Sequence, residues 1–165
     1  MPTSLYPFLS IVCILYAYAS FFMKNQIQYS HMKGVMITMK ESILLFNLQD
    51  KNARLKLEKA LFPLKIRIRS IPKEQYNQPL GVLAGIKEIP EAEGTFVGEE
   101  LPDTMFVFAF LTDSRLNQVL AAIRKSGVGP FPYKAILTPT NQFWTAHECF
   151  HEIAEEHEMM RKQSN

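Results

Sequence analysis

Residues 105–123, MFVFAFLTDSRLNQVLAAI, decide the fold. The first six residues, MFVFAF, are apolar at every position, which is typical of a central strand covered on both faces. The next apolar residues recur at i, i+3, i+4 and i+7 and predict one buried stripe on a helix. They are Leu116, Val119, Leu120 and Ile123. Thr112 or Asp113 can cap that helix, so the stretch predicts a buried strand followed by an amphipathic helix.

The same order of elements occurs upstream. Residues 42–46 (SILLF) are a short apolar run, and Asp50 can cap the helix that follows. Residues 64–68 alternate between apolar and basic side chains, as a half-buried strand at a sheet edge does. A short helix is expected over residues 79–86, with Pro79 suited to its first position.

Downstream, residues 133–137 predict a fourth strand and residues 146–161 a final helix. The order is therefore βαβα followed by βαβα, a pseudo-repeat with an offset of about sixty residues. We expect an α/β fold around a four-stranded, mainly parallel sheet, with strands one and three central and strands two and four at the edges. A ferredoxin-like α+β arrangement is the alternative.

Length and composition fit one domain. The chain has 165 residues, of which 47% are apolar, enough for a substantial core. We assign residues 40–165 to a single α/β domain, in which residues 87–103 form an acidic, exposed connector interrupted by Pro and Gly. Cys13 and Cys149 are the only cysteines, so no disulfide framework is implied.

The charges are unevenly distributed along the chain. Residues 40–73 carry nine Lys/Arg and three acids, whereas residues 74–112 carry one Lys and seven acids. We expect the two blocks to lie near each other or to face water separately. The net charge of +2 gives no argument for nucleic acid, and the basic face of Lys65, Arg67 and Arg69 lacks interleaved exposed aromatic side chains, so we expect it to be solvated.

Residues 1–39 form an apolar N-terminal segment. Its first 23 residues carry no charged side chain, and residues 5–23 are nearly long enough to cross a bilayer. One interpretation is a single membrane anchor that leaves the domain in the cytoplasm, because Lys24 and Lys33 follow it. The other is that translation starts downstream, at a methionine such as Met39. We expect a cytoplasmic protein, which contacts a membrane only if residues 5–23 are translated.

The run His147-Glu148-Cys149-Phe150-His151 has the HExxH spacing that places two imidazoles one helical turn apart. It would make the chain a zinc-dependent hydrolase with Glu148 as the base. Thr145 and Glu148 also fit a capping box, which gives the glutamate a structural role. Zinc would need a third ligand as well. We therefore expect no metal, cofactor or catalytic residue, and keep zinc on His147 and His151 as the alternative.

Two short motifs resemble a known family. The run Leu137-Thr138-Pro139-Thr140-Asn141, followed by Trp144 and closing with Glu156-His157, is similar to a motif of an uncharacterised bacterial family of small α/β proteins, a domain of unknown function. Residues 78–81, QPLG, resemble the other short motif of that family. The resemblance covers about residues 40–162. It implies an α/β fold and no mechanism.

The segments after strands two and four are richer in amides and hydroxyls than a turn requires. In a parallel layout both leave the carboxyl ends of strands, where α/β sheets usually bind ligands. We predict a non-catalytic binding or regulatory module that binds an unknown small molecule or protein through these segments. The predicted ligand-binding residues are Asn77, Gln78, Thr138, Thr140, Asn141 and Trp144. The alternative is that Thr138, Thr140 and Asn141 only satisfy backbone groups at a tight turn.

Overall fold

The structure, a computed structural model, describes residues 39–163, and within them four strands form one mixed sheet of order β2-β1-β3-β4. The strands are β1 (Ser42–Phe46), β2 (Arg67–Ile71), β3 (Met105–Ala109) and β4 (Tyr133–Ile136). β1 pairs with β2 and β3 pairs with β4 in parallel, whereas β1 and β3 are antiparallel. The predicted α/β class, the mainly parallel sheet and the placing of strands one and three at its centre and of strands two and four at its edges are confirmed, and the ferredoxin-like alternative does not apply.

The described residues form four α-helices, and all but one of them begin at a side-chain cap. They are α1 (Lys51–Leu61), α2 (Leu80–Ala84), α3 (Asp113–Lys125) and α4 (Ala146–Gln163). At α1, Asp50 accepts a hydrogen bond from the Asn52 backbone N–H, 2.8 Å away. At α3, Thr112 accepts one from the Arg115 N–H. These side chains satisfy amide groups that have no partner inside the helix.

The antiparallel pairing of β1 and β3 is centred on Leu44 and Val107, which lie opposite each other. The two units β1-α1-β2-α2 and β3-α3-β4-α4 are therefore arranged about an approximate two-fold axis through this pair. The first residue after each central strand has a left-handed backbone, Asn47 with φ 48° and Phe110 with φ 62°. The predicted pseudo-repeat thus exists in three dimensions.

The strands alternate side chains between two helical layers, as the pleat requires. Ile43 and Leu45 of β1 pack with α1 and α3 on one face, and we call that side the α1/α3 layer. Leu44 and Phe46 pack with α2 and α4 on the other face, which we call the α2/α4 layer. The central strands are buried throughout, so each layer has its own core.

Two element boundaries and the burial of the connector differ from the sequence expectation. The second strand begins at Arg67 instead of residue 64, because Phe62–Leu64 is a 3-10 turn and Lys65 has a left-handed backbone with φ 54°. The helix α2 ends at Ala84, since Gly85 at φ 98° terminates it. The connector, residues 87–103, contains no helix or strand but is not simply exposed: Ile89 and Leu101 are buried.

The predicted N-terminal segment, apart from Met39, lies outside the described residues, and so do both interpretations of residues 5–23. None of the helices within residues 39–163 is long and apolar enough to cross a membrane.

We predict that Lys65→Gly raises the free energy of unfolding by about 1 kcal/mol, because glycine adopts positive φ without the steric conflict of a Cβ atom. Thermal or denaturant unfolding measures the change. The matched control is Lys65→Ala, which removes the same charged side chain but keeps Cβ. Equal stability of the two variants would contradict this explanation.

Candidate functional site

We expected the segments that follow β2 and β4 to emerge at the same end of the strands, and this expectation is wrong. Because β1 and β3 are antiparallel, the carboxyl end of β2 lies level with the amino end of β4. The two segments meet nevertheless, within the α2/α4 layer. The Leu80 N–H donates to the Trp144 carbonyl (2.9 Å), and the Ala146 N–H donates to the Tyr76 carbonyl (3.3 Å). We call residues 75–80 and 144–148 the loop junction.

Two of the predicted ligand-binding residues fasten the connector to the loop junction. Asn77 Nδ2 donates to the Gly94 carbonyl at 3.0 Å and to the Glu93 carbonyl at 3.3 Å. Gln78 Nε2 donates to the Ala92 carbonyl at 2.8 Å, and Gln78 Oε1 accepts from the Ala92 N–H at 2.9 Å. The Gln78 amide thus pairs with the connector as a backbone group would.

Thr138 and Asn141 build the turn after β4. Asn141 Oδ1 accepts from the Thr138 N–H at 2.7 Å, and Asn141 Nδ2 donates to the Ile136 carbonyl at 2.9 Å. The Asn141 N–H in turn donates to Thr138 Oγ1 at 3.1 Å. The turn alternative predicted that Thr138 and Asn141 satisfy backbone groups, and these hydrogen bonds do so. Thr140 is exposed, and Trp144 is half-buried against the α2/α4 core.

The capping box predicted at the start of α4 is confirmed. Glu148 Oε2 accepts from the Thr145 N–H at 2.7 Å and from Thr145 Oγ1 at 2.9 Å. The Glu148 N–H donates to Thr145 Oγ1 at 3.3 Å. The hydrogen bonds from the Thr145 N–H and hydroxyl hold the pKa of Glu148 below its ordinary value. This carboxylate is therefore occupied by the helix start.

The two imidazoles of HECFH have different surroundings. The half-buried His147 ring lies 4.9 Å from the Phe96 ring and 6.0 Å from the Tyr76 ring, measured between centroids. His151 is 70% exposed, with Nε2 3.3 Å from Glu155 Oε1. Within residues 39–163, no group of three or more His, Cys, Asp or Glu residues is placed to hold a metal ion. The zinc-hydrolase alternative thus finds neither a free base nor a third ligand in the described part of the chain.

Cys149, inside the same motif, lies on the buried face of α4. Burial raises the pKa of its thiol to about 12, and the nearby Glu152 adds to the shift. The thiol is therefore protonated at neutral pH and packs as a small apolar side chain.

The loop junction contains polar atoms that no protein group satisfies. Within the described residues, four buried side-chain atoms have no hydrogen-bond partner: Ser42 Oγ, Gln75 Oε1, Asn77 Oδ1 and His147 Nδ1. Three of the four belong to the junction. Gln75 and Asn77 flank Tyr76, whose carbonyl is bonded to the residue before His147. Sequence reasoning missed Gln75 and considered His147 only as a metal ligand, because periodicity does not indicate which loop side chains become buried.

Tyr76 is the residue on which the junction is centred, and sequence reasoning missed it too. It is 1% exposed, and its ring packs 5.6 Å from Phe46 and 6.0 Å from Phe96 between centroids. Burial, followed by the hydrogen bond to Glu100, raises the pKa of its hydroxyl. The hydroxyl end lines a cleft of about 130 Å³ at the carboxyl ends of β1 and β2, with Asn47, Gln49, Arg54, Lys73 and Glu100 among its neighbours.

We predict that Asn141→Ala lowers the free energy of unfolding by about 2–3 kcal/mol, because it removes two hydrogen bonds and leaves the Thr138 N–H and the Ile136 carbonyl unpaired. Thr140→Ala, at an exposed neighbour, is the control and should change stability by less than about 0.5 kcal/mol. Denaturant unfolding measures both. Comparable losses in the two variants would show that the Asn141 amide does not hold the turn.

We predict a pH-dependent effect of Glu148→Gln, which keeps the capping geometry but removes the charge. Because folding lowers the pKa of Glu148, its charge stabilises the folded state above the ordinary value of 4.5. That stability is lost as the pH falls through the lower pKa of the folded state. At pH 7 the free energy of unfolding of the wild type should exceed that of the variant by less than about 1 kcal/mol, since the exposed carboxylate is screened by solvent. This difference in stability should vanish in acid.

Thermal unfolding at several pH values tests this prediction. Glu152→Gln removes one negative charge from the same helix and gives the background effect. A wild-type advantage over Glu148→Gln that persists in acid, or that Glu152→Gln reproduces, would contradict the assignment.

Comparison with known proteins adds one finding. Residues 104–160 match a family described as a domain of unknown function (DUF3783). The matched segment is about a third of the chain and coincides with the second unit of the pseudo-repeat, β3-α3-β4-α4. It includes the LTPTN-x-x-W motif but not residues 78–81, so it is shorter than the range expected from the sequence resemblance. No curated protein and no solved structure shows significant similarity to the chain. A domain of this uncharacterised family is therefore present at residues 104–160.

Proposed function

We propose that the chain is a non-catalytic binding module and that its ligand site is the loop junction. The observation that carries this proposal is the presence there of three buried atoms without a partner, Gln75 Oε1, Asn77 Oδ1 and His147 Nδ1. An unpaired buried polar atom costs about 1–3 kcal/mol, and native proteins rarely leave one unsatisfied. A ligand that donates hydrogen bonds would remove this cost.

The chemistry of the junction favours a positively charged donor. The amide oxygens of Gln75 and Asn77 can only accept hydrogen bonds. The half-buried rings of Phe96 and His147 lie against each other and against the buried Tyr76, and an aromatic face attracts a cation. The surrounding α2/α4 layer, counted over residues 72–104 and 137–163, carries four Lys/Arg and twelve Asp/Glu. A guanidinium or ammonium group on a small molecule or a peptide has the matching charge and donors.

The six residues expected from the sequence have a supporting part in this proposal. Asn77 and Gln78 hold the connector, and with it Phe96, beside the junction. Thr138 and Asn141 shape the turn that leads to Trp144, whose carbonyl is bonded to Leu80. Of these six residues, only Asn77 also has a buried polar atom without a hydrogen-bond partner. The other residues that would contact the ligand are therefore Gln75 and His147.

A titration followed by NMR tests the proposal. Uniformly ¹⁵N-labelled protein is titrated with acetyl-arginine amide, and the neutral isostere acetyl-citrulline amide is the matched control. We expect the backbone amides of residues 75–78 and 145–148 to shift with the arginine compound, with a Kd of about 1 mM for a ligand of this size. Shifts elsewhere, or equal shifts with the citrulline compound, would contradict the proposed site.

The variant His147→Phe tests whether the imidazole binds a ligand or only packs against its neighbours. It keeps a ring of similar shape against Phe96 and removes the unpaired nitrogen, so we expect it to raise the free energy of unfolding by about 1 kcal/mol and to weaken binding of acetyl-arginine amide. His151→Gln, at the exposed histidine, should change neither quantity. A destabilised His147→Phe would mean that the imidazole nitrogens already have partners in the free protein.

A further inference from the structure

The two helical layers carry opposite charges. Residues 50–65 and 112–126, which include α1 and α3, carry eight Lys/Arg and three Asp/Glu, a formal net charge of +5. The α2/α4 layer, over the residues counted above, has a formal net charge of −8. The sheet separates them, because α1 and α3 pack on one of its faces and α2 and α4 on the other. The excess of basic residues around α1 and α3 and the excess of acidic residues in the α2/α4 layer thus lie on opposite sides of the sheet.

The outer face of α1 combines basic and apolar side chains. Ala53, Leu57 and Leu61 face the core. The opposite side of the helix presents Lys51, Leu55 and Lys59, and Phe62 follows directly after its last residue; we call these four residues the α1 stripe. Leu55 is 54% exposed and Phe62 is 82% exposed. No ion pair within residues 39–163 involves Lys51, Lys56 or Lys59.

We propose that the α1 stripe docks on the surface of an anionic lipid bilayer. Lysines around two exposed apolar side chains are typical of helices that lie in the headgroup region, where the apolar tips enter the acyl boundary and the ammonium groups meet lipid phosphates. The opposite charge of the α2/α4 layer favours one orientation, since a negative surface repels that side. A nucleic acid would use the lysines and could stack on Phe62, but it offers no apolar phase for Leu55.

This inference is independent of the loop junction, because the α1 stripe and the junction lie in opposite layers. A docked molecule would leave the junction facing away from the membrane and open to its ligand. Loss of one activity would therefore leave the other intact.

Tryptophan fluorescence of the full chain tests the docking. In Phe62→Trp the probe lies in the α1 stripe, and in the matched control Val97→Trp it lies on the connector, at a position that is 93% exposed. Trp144 and the N-terminal residues are common to both proteins, and the signal of the unmodified chain is subtracted. We expect a blue shift at position 62 with vesicles of equal parts phosphatidylglycerol and phosphatidylcholine, none with phosphatidylcholine alone, and none at position 97.

The charge contribution is measured in the same assay. Replacing Lys51, Lys56 and Lys59 with glutamine should weaken vesicle binding about fivefold for each lysine removed, and salt should weaken it further. No shift at position 62 with anionic vesicles, or equal shifts at positions 62 and 97, would overturn the proposal. A shift at position 62 with single-stranded RNA but not with anionic vesicles would overturn it in favour of a nucleic acid surface.

Discussion

The antiparallel pairing of β1 with β3 is the constraint on which the rest of the structure depends. Each central strand carries its own parallel partner, so reversing one strand against the other places the two βαβα units about a two-fold axis through Leu44 and Val107. That arrangement brings α1 and α3 to one face and α2 and α4 to the other. It also leaves β2 and β4 as the edges, where half-buried strands are tolerated.

The loop junction follows from the same pairing. Because the carboxyl ends of β2 and β4 point in opposite directions, the segments behind them can meet only by returning over the sheet. They do so through two main-chain hydrogen bonds, from Leu80 to Trp144 and from Ala146 to Tyr76. Of the side chains predicted to bind a ligand, Asn77 and Gln78 hold the connector, and Thr138 and Asn141 hold the turn after β4. The buried polar atoms of the junction that have no partner belong to Asn77 and to two residues that were not predicted to bind a ligand, Gln75 and His147.

The opposite charges of the two layers give the molecule one basic side and one acidic side. The proposed cation site lies in the acidic layer, and the proposed lipid-docking stripe lies in the basic layer. Opposite charges on the two sides of the sheet orient a molecule at a charged surface, even when the net charge of the whole chain is only +2. The two proposals together describe a module that holds a ligand on one side and docks on a surface with the other.

The sequence by itself determined the α/β class, the order of elements and most helix starts. Each of these depends on local periodicity or on a cap a few residues away, as at Asp50, Thr112 and Thr145. Only the tertiary structure decided the direction of β3 against β1, since the apolar run MFVFAF is compatible with either pairing. It also decided the burial of Tyr76 and Gln75 and the exposure of Phe62, because these depend on contacts between segments that are distant in sequence. Local patterns carry no information about such contacts.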